Sequence, residues 1–167
     1  MRFIKDIFRG NFGISQKFGE NPAIYSPMGL SGHNGLDFLT PIGTDALAGV
    51  VGYISQMVDQ GDGGYGKSVV IITKIEGRTF ELRWAHLLEI EHNLKVGAQV
   101  WPERIIGQCG NSGFCVTGGH KVTPEERAAG KGAHLHFQIR EMDDAGGIKN
   151  YGNGFKGAID PLPYFDV

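Results

Sequence analysis

The chain of 167 residues is 41% hydrophobic and 20% charged, with a formal charge of −2. Length and balance fit one folded domain over residues 1–167 and exclude a disordered chain. The near-neutral charge gives no electrostatic reason to expect a nucleic acid or an anionic membrane as partner.

In chain order, MRFIKDIFRGNFG mixes charge into its apolar positions and offers no continuous apolar stretch of a signal peptide. No later run approaches transmembrane length; SVVII suffices only for a buried strand. GHNGLDF places His33 and Asp37 four residues apart around Gly35. Imidazole and carboxylate together suit a borderline-hard ion such as Zn²⁺, with the glycine letting both reach it. A loop histidine beside a capping aspartate gives the same spacing. TDALAGVVGYISQMV alternates small and branched apolar residues, and DQGDGGYG breaks it. KSVVIITKI, the turn Glu76-Gly77 and TFELRWAHLL form the next hairpin, with His86 near the end of the strand that starts at Thr79. LKVGAQVWPERIIGQCG reads as two short strands around a type I turn at Trp101–Arg104. Glycine is the compositional outlier, 27 against 7 prolines, and its spread between short apolar runs points to tight turns in a mainly β fold.

Cys109 and Cys115 are the only cysteines. Two are too few for a structural zinc cluster; the default is a pair of reduced thiols, although flanking glycines permit a small disulfide loop after oxidation. VTPEERAAG carries the one clear helix signal: Thr123 as N-cap, Pro124 at the first position, Glu126 closing a capping box and Gly130 as C-cap. GAHLHFQIR is the last long strand. Residues i and i+2 share a strand face, so His134 and His136 stand side by side while Leu135 and Phe137 point to the core. Such a pair is either a solvated strand face or part of a site. His92 and His120 lie in turn-rich polar segments and read as exposed. There is no internal repeat, low-complexity segment or linker.

Taken together, HNGLD, WAHL, LKVGAQVWPERIIGQCGNSG and GAHLHFQI occur in an order and spacing that resembles the M23 metallopeptidases, the lysostaphin- and LytM-like peptidoglycan endopeptidases. FGISQKFGENP is similar to the segment before that family's first ligand motif, PIGTDALAGVVGYI to its first hairpin and IDPLPYF to its usual ending. The resemblance runs from about Phe12 to Phe165. It implies a compact antiparallel β-sheet, a barrel-sandwich core like the duplicated hybrid motif, with a short surface helix. It also implies Zn²⁺ held by His33, Asp37 and His136, with His86 and His134 as catalytic histidines and Tyr25 supporting the transition state. Three protein ligands leave a position open, as a hydrolytic zinc requires.

The implied activity is hydrolysis of peptide bonds in the stems or cross-bridges of bacterial peptidoglycan. Without a signal peptide, delivery by a phage, as an endolysin or virion-associated enzyme, would bring the protein to the cell wall. Two other classes compete. A non-catalytic wall-binding or virion structural module would be expected to lose ligands, and all five site positions are filled. A phosphocarrier-like protein would need no carboxylate, so Asp37 discriminates. The chain departs from the family at Glu103, where a glycine is usual, and by an insertion over residues 114–133 that is expected to border the substrate groove and tune its specificity.

Overall fold

The computed structural model describes residues 1–166. Its strands are β1 (Ile14–Gln16), β2 (Leu36–Phe38), β3 (Asp45–Leu47), β4 (Gly52–Asp59), β5 (Lys67–Ile75), β6 (Arg78–Ile90), β7 (Gln99–Val100), β8 (Ile105–Cys109), β9 (Val116–Thr117), β10 (His120–Lys121), β11 (Leu135–Met142) and β12 (Ala158–Ile159). Two short helices, α1 (Pro22–Tyr25) and α2 (Pro124–Ala128), lie in the connections. The strands of the main sheet pair antiparallel in the order β1-β2-β11-β6-β5-β4-β7. β12 adds to β11, and β8 branches off β6 to carry β3. The expected mainly β, antiparallel class is what forms.

The hairpin between β5 and β6 turns at Glu76 and Gly77, with φ of 50° and 78°. Two left-handed residues in a two-residue loop match the right-handed twist of the flanking strands. Thr79–Ala85 of β6 pairs with β11, whereas Leu87–Ile90 pairs with β8. One long strand therefore serves two partners in succession, and His86 is the residue between them. Side-chain alternation on β11 sends Leu135, Phe137 and Ile139 into the core, all fully buried. Phe137 meets Trp84 edge-on with ring centroids 5.0 Å apart. The amino-terminal segment also enters the core through Ile4 and Ile7, and Ile4 bridges Phe165 in parallel.

Two local expectations are refined, and one helix was not expected. The strands on either side of the Trp101–Arg104 turn exist, but β7 pairs with β4 and β8 with β3 and β6, so the turn joins different partners. The capping box on α2 forms, with the Glu126 amide donating to the Thr123 hydroxyl. Its C-cap, however, is Ala129. Gly130 is the next residue, at φ 79°, where the amides of Gly130 and Lys131 donate back to the carbonyls of Arg127 and Glu126. α1 has no capping side chain and no buried residue, so its sequence carries no periodic signal.

Candidate metal centre

The β2–β11 register sets Asp37 directly opposite His136. His33 precedes β2 in a loop pinned by its own amide donating to the Glu20 carbonyl and by the Gly19 amide donating to the His33 carbonyl, both at 2.8 Å. All three side chains are buried. His33 Nε2 lies 2.9 Å from His136 Nδ1 and 3.1 Å from Asp37 Oδ1, and His136 Nδ1 lies 2.9 Å from the same oxygen. His33 Nδ1 faces the Lys17 carbonyl at 3.2 Å, which can only accept, so its Nε2 carries a lone pair. Three donor atoms of one small triangle thus face each other in a dry place. Tetrahedral bonds of 2.0–2.1 Å have edges of about 3.3 Å, close to the observed separations. The donor set fits a zinc ion.

Burial alone would raise the Asp37 carboxyl, but the imidazoles of His136 and His33 against its Oδ1, with His134 beyond, hold it well below the usual carboxylate range. Burial is also the main cause that lowers His136. His136 Nε2 is buried with no hydrogen-bond partner. It abuts Gly35, where a Cβ would lie 2.9 Å from Nε2, 2.7 Å from Cε1 and 2.4 Å from the Phe137 carbonyl oxygen. The glycine is therefore required for clearance between β2 and β11, and no positive φ is involved. That differs from the backbone flexibility expected from the spacing alone.

His86 stands at an irregularity in the β5–β6 ladder: Lys67 pairs with Leu87 and Val69 with Trp84, so β6 spends one more residue than β5 over this step. His86 takes φ 59°, a left-handed conformation for a non-glycine residue in a strand. The bulge turns its ring inwards, a common use of bulges beside sites. His86 Nδ1 donates to the Ser112 carbonyl at 2.8 Å, and His134 Nδ1 donates to the Gly132 carbonyl at 2.8 Å. Both tautomers leave Nε2 as the lone-pair atom. The two rings are 4.6 Å apart, and His134 Nε2 is 3.8 Å from Asp37 Oδ2. Burial first, then the neighbouring His134 and His136, push His86 well below the ordinary imidazole range, so it is neutral at pH 7.

The five residues singled out by sequence thus converge, and Tyr25 joins them with its ring 5.3 Å from that of His33. Its hydroxyl donates to Gln16 Oε1 at 2.9 Å and is raised by burial and by the Asp37 charge. His92 and His120 lie apart and exposed, against Glu91 and Glu126. Sequence reasoning missed Tyr65, whose ring lies 5.6 Å from that of His136 and whose hydroxyl accepts from Asn34 and donates to Gln138. It also missed Cys115, a buried free thiol beside His86 and His134. Tyr65 follows two glycines with no periodic signal, and Cys115 reads in the sequence only beside Cys109, as one of two reduced thiols. A groove of about 730 Å³ lies over the cluster. Ile24, Met28 and Leu39, with Phe114 and Val116 of the inserted segment, supply apolar lining to it. No helix among the described residues is long and apolar enough to cross a membrane.

Residues 31–148 match the model of peptidase family M23. Among solved structures, LytU is 31% identical over 95% of this chain and 86% of its own, with a TM-score of 0.59. The catalytic domain of lysostaphin from Staphylococcus simulans is 26% identical over 92% and 91%, with a TM-score of 0.61. The catalytic domain of the prophage-encoded M23 protein EnpA from Enterococcus faecalis shares the fold at 24% identity over 89% and 94%, with a TM-score of 0.59. A comparison with curated proteins finds no match.

Proposed function

The chain belongs to peptidase family M23, and from that premise we propose that it is a zinc-dependent endopeptidase acting on the peptides of bacterial peptidoglycan. The observation that carries the proposal is the buried triangle of His33 Nε2, Asp37 Oδ1 and His136 Nδ1, with edges of 2.9–3.1 Å. His33, Asp37 and His136 would hold the ion and leave a position open towards the groove. Bound there, zinc supplies Lewis-acid polarisation of a water and of a scissile carbonyl.

The remaining steps fall to the side chains. His86 and His134, each anchored through Nδ1 to a backbone carbonyl, present Nε2 to accept the proton of the attacking water and return it to the leaving amine. Neutral His86 is in the correct state to act as the base. The Tyr25 hydroxyl stays protonated and, on releasing Gln16, would donate to the developing oxyanion. The apolar lining of the groove suits a peptide lying over the histidines, and the substrate class follows the lysostaphin-like relatives.

The test is digestion of purified walls of several chemotypes, with mass spectrometry of the fragments and elemental analysis of the enzyme. About one zinc per chain and release of peptide ends support the proposal. Undiminished hydrolysis by metal-free protein refutes the zinc reading. Bound zinc without cleavage of any wall chemotype would make the chain a binding module instead.

A further inference from the structure

Cys115 has no task in the reaction above; burial pushes its thiol up to about 12, and it stands beside two imidazoles that do have one. The residue is 1% exposed, and its thiol donates to the carbonyls of Asn111 and Ser112 at 3.4 and 3.3 Å. One ligating atom each from His86, Cys115 and His134 lie within 4.8 Å of one another. Both imidazoles hold Nδ1–H on a backbone carbonyl, the arrangement that usually orients a metal-binding histidine and leaves the other nitrogen free. The Asp37 carboxylate points one oxygen at each cluster: Oδ1 sits 2.9 Å from His136 Nδ1 and Oδ2 sits 3.8 Å from His134 Nε2.

We propose that His86, Cys115 and His134 form a second metal site, for a borderline-soft divalent ion, beside the His33–Asp37–His136 triangle and adjoining it through Asp37. Two imidazoles and a thiolate are the donor types that favour such ions over magnesium or calcium. Coordination breaks the S–H bond; sulfur keeps the electron pair and donates it to the ion, and the proton passes to water. Tetrahedral N–metal–S bonds set their donor atoms about 3.5 Å apart, a spacing inside the 4.8 Å within which these three atoms lie. The His33–Asp37–His136 triangle, whose donors already stand 2.9–3.1 Å apart and which includes a carboxylate, fills first. Filling the second site takes the lone pairs of both acid–base imidazoles and stops hydrolysis. That consequence rests on the endopeptidase reading; the site itself does not.

The experiment titrates metal-free protein with Co²⁺, reading absorption and wall hydrolysis in parallel. The first equivalent should bind without a thiolate signal and give the highest rate. The second should raise a thiolate-to-cobalt charge-transfer band in the near ultraviolet, while hydrolysis falls by about 10²–10⁴-fold, the scale for losing acid–base groups. Cys115→Ser and Cys115→Ala should both bind the first equivalent, which reports that they fold. Neither should show the band, and excess Co²⁺ should not depress either below its own one-equivalent rate. No band at saturating cobalt, a band with the first equivalent, or a band that persists in both variants overturns the proposal. Two bound ions with the band but no wall cleavage would uphold the site and refute the endopeptidase reading. Cleavage with one ion and no second binding would do the reverse.

Discussion

Gly35→Ala is the sharpest probe of the triangle, because it adds one methyl group and removes no ligand. The new Cβ would lie 2.4 Å from the Phe137 carbonyl oxygen and 2.7 Å from His136 Cε1, and both are held by the β2–β11 ladder. Relief requires the strands to part, or the imidazole to swing, by about 1 Å. Overpacking of this kind costs about 1–3 kcal/mol of stability in the metal-free protein. Displacing the ring should also weaken zinc by at least the 10–100-fold seen when ligand support is lost. Zinc at one hundred times the wild-type Kd stabilises wild type by about 2.7 kcal/mol. With affinity 100-fold weaker, the same concentration adds only about 0.4 kcal/mol. Urea unfolding of both proteins, with and without zinc, measures the two effects separately. A Gly35→Ala protein with wild-type stability and the full zinc increment would refute the clearance argument.

Three further outcomes are expected. His136→Ala should lose zinc and activity together, whereas His134→Ala should keep zinc and lose about 10²–10⁴-fold in turnover; equal zinc loss in both would remove His134 from its assigned role. Because His86 holds φ 59°, His86→Gly should be about 1 kcal/mol more stable than His86→Ala in denaturant unfolding, and the reverse order would mean that the bulge has no left-handed strain. The Glu141 carboxyl is held down to about 2 by hydrogen bonds from Arg78, and Lys149 adds to this. Its contribution is present above the ordinary carboxylate value and fades as pH falls from about 4.5 towards 2. Glu141→Gln should thus be less stable than wild type at pH 7, by under about 1 kcal/mol for this partly exposed pair, and equal to it near pH 2. A stability gap that persists at pH 2 would show that the carboxylate charge is not its source.

What could be seen in the sequence was whatever neighbouring residues decide. Thr123, Pro124 and Glu126 announce α2 because a capping box is a local hydrogen-bond pattern. Glu76-Gly77 marks its hairpin because two left-handed residues are a local demand. His33, Asp37, His86, His134 and His136 could be nominated through motif order and family resemblance, since spacing alone left each with a structural alternative. The bulge at His86 was invisible because it is a mismatch between the lengths of two paired strands. Tyr65 and Cys115 were missed for a related reason: their meaning depends on what the folded sheet sets beside them. Gly35 was noticed, but its role came from the strand packed across it.

The cross-strand pairing of Asp37 with His136 also fixes a time order. The two residues are 99 positions apart, and a loop of that length costs about 4 kcal/mol to close before its contacts repay it. At translation rates of about 5–20 residues per second, His136 follows Asp37 out of the ribosome by about 5–20 s. Throughout that interval the nascent chain holds His33 and Asp37 but not His136, so the proposed zinc site lacks one of its three ligands and would not template the amino-terminal half. The centre assembles only once β11 has inserted between β2 and β6. On the proposed zinc reading, a product ending before β11 should bind no zinc at this site, because the last long strand to emerge carries the third proposed ligand.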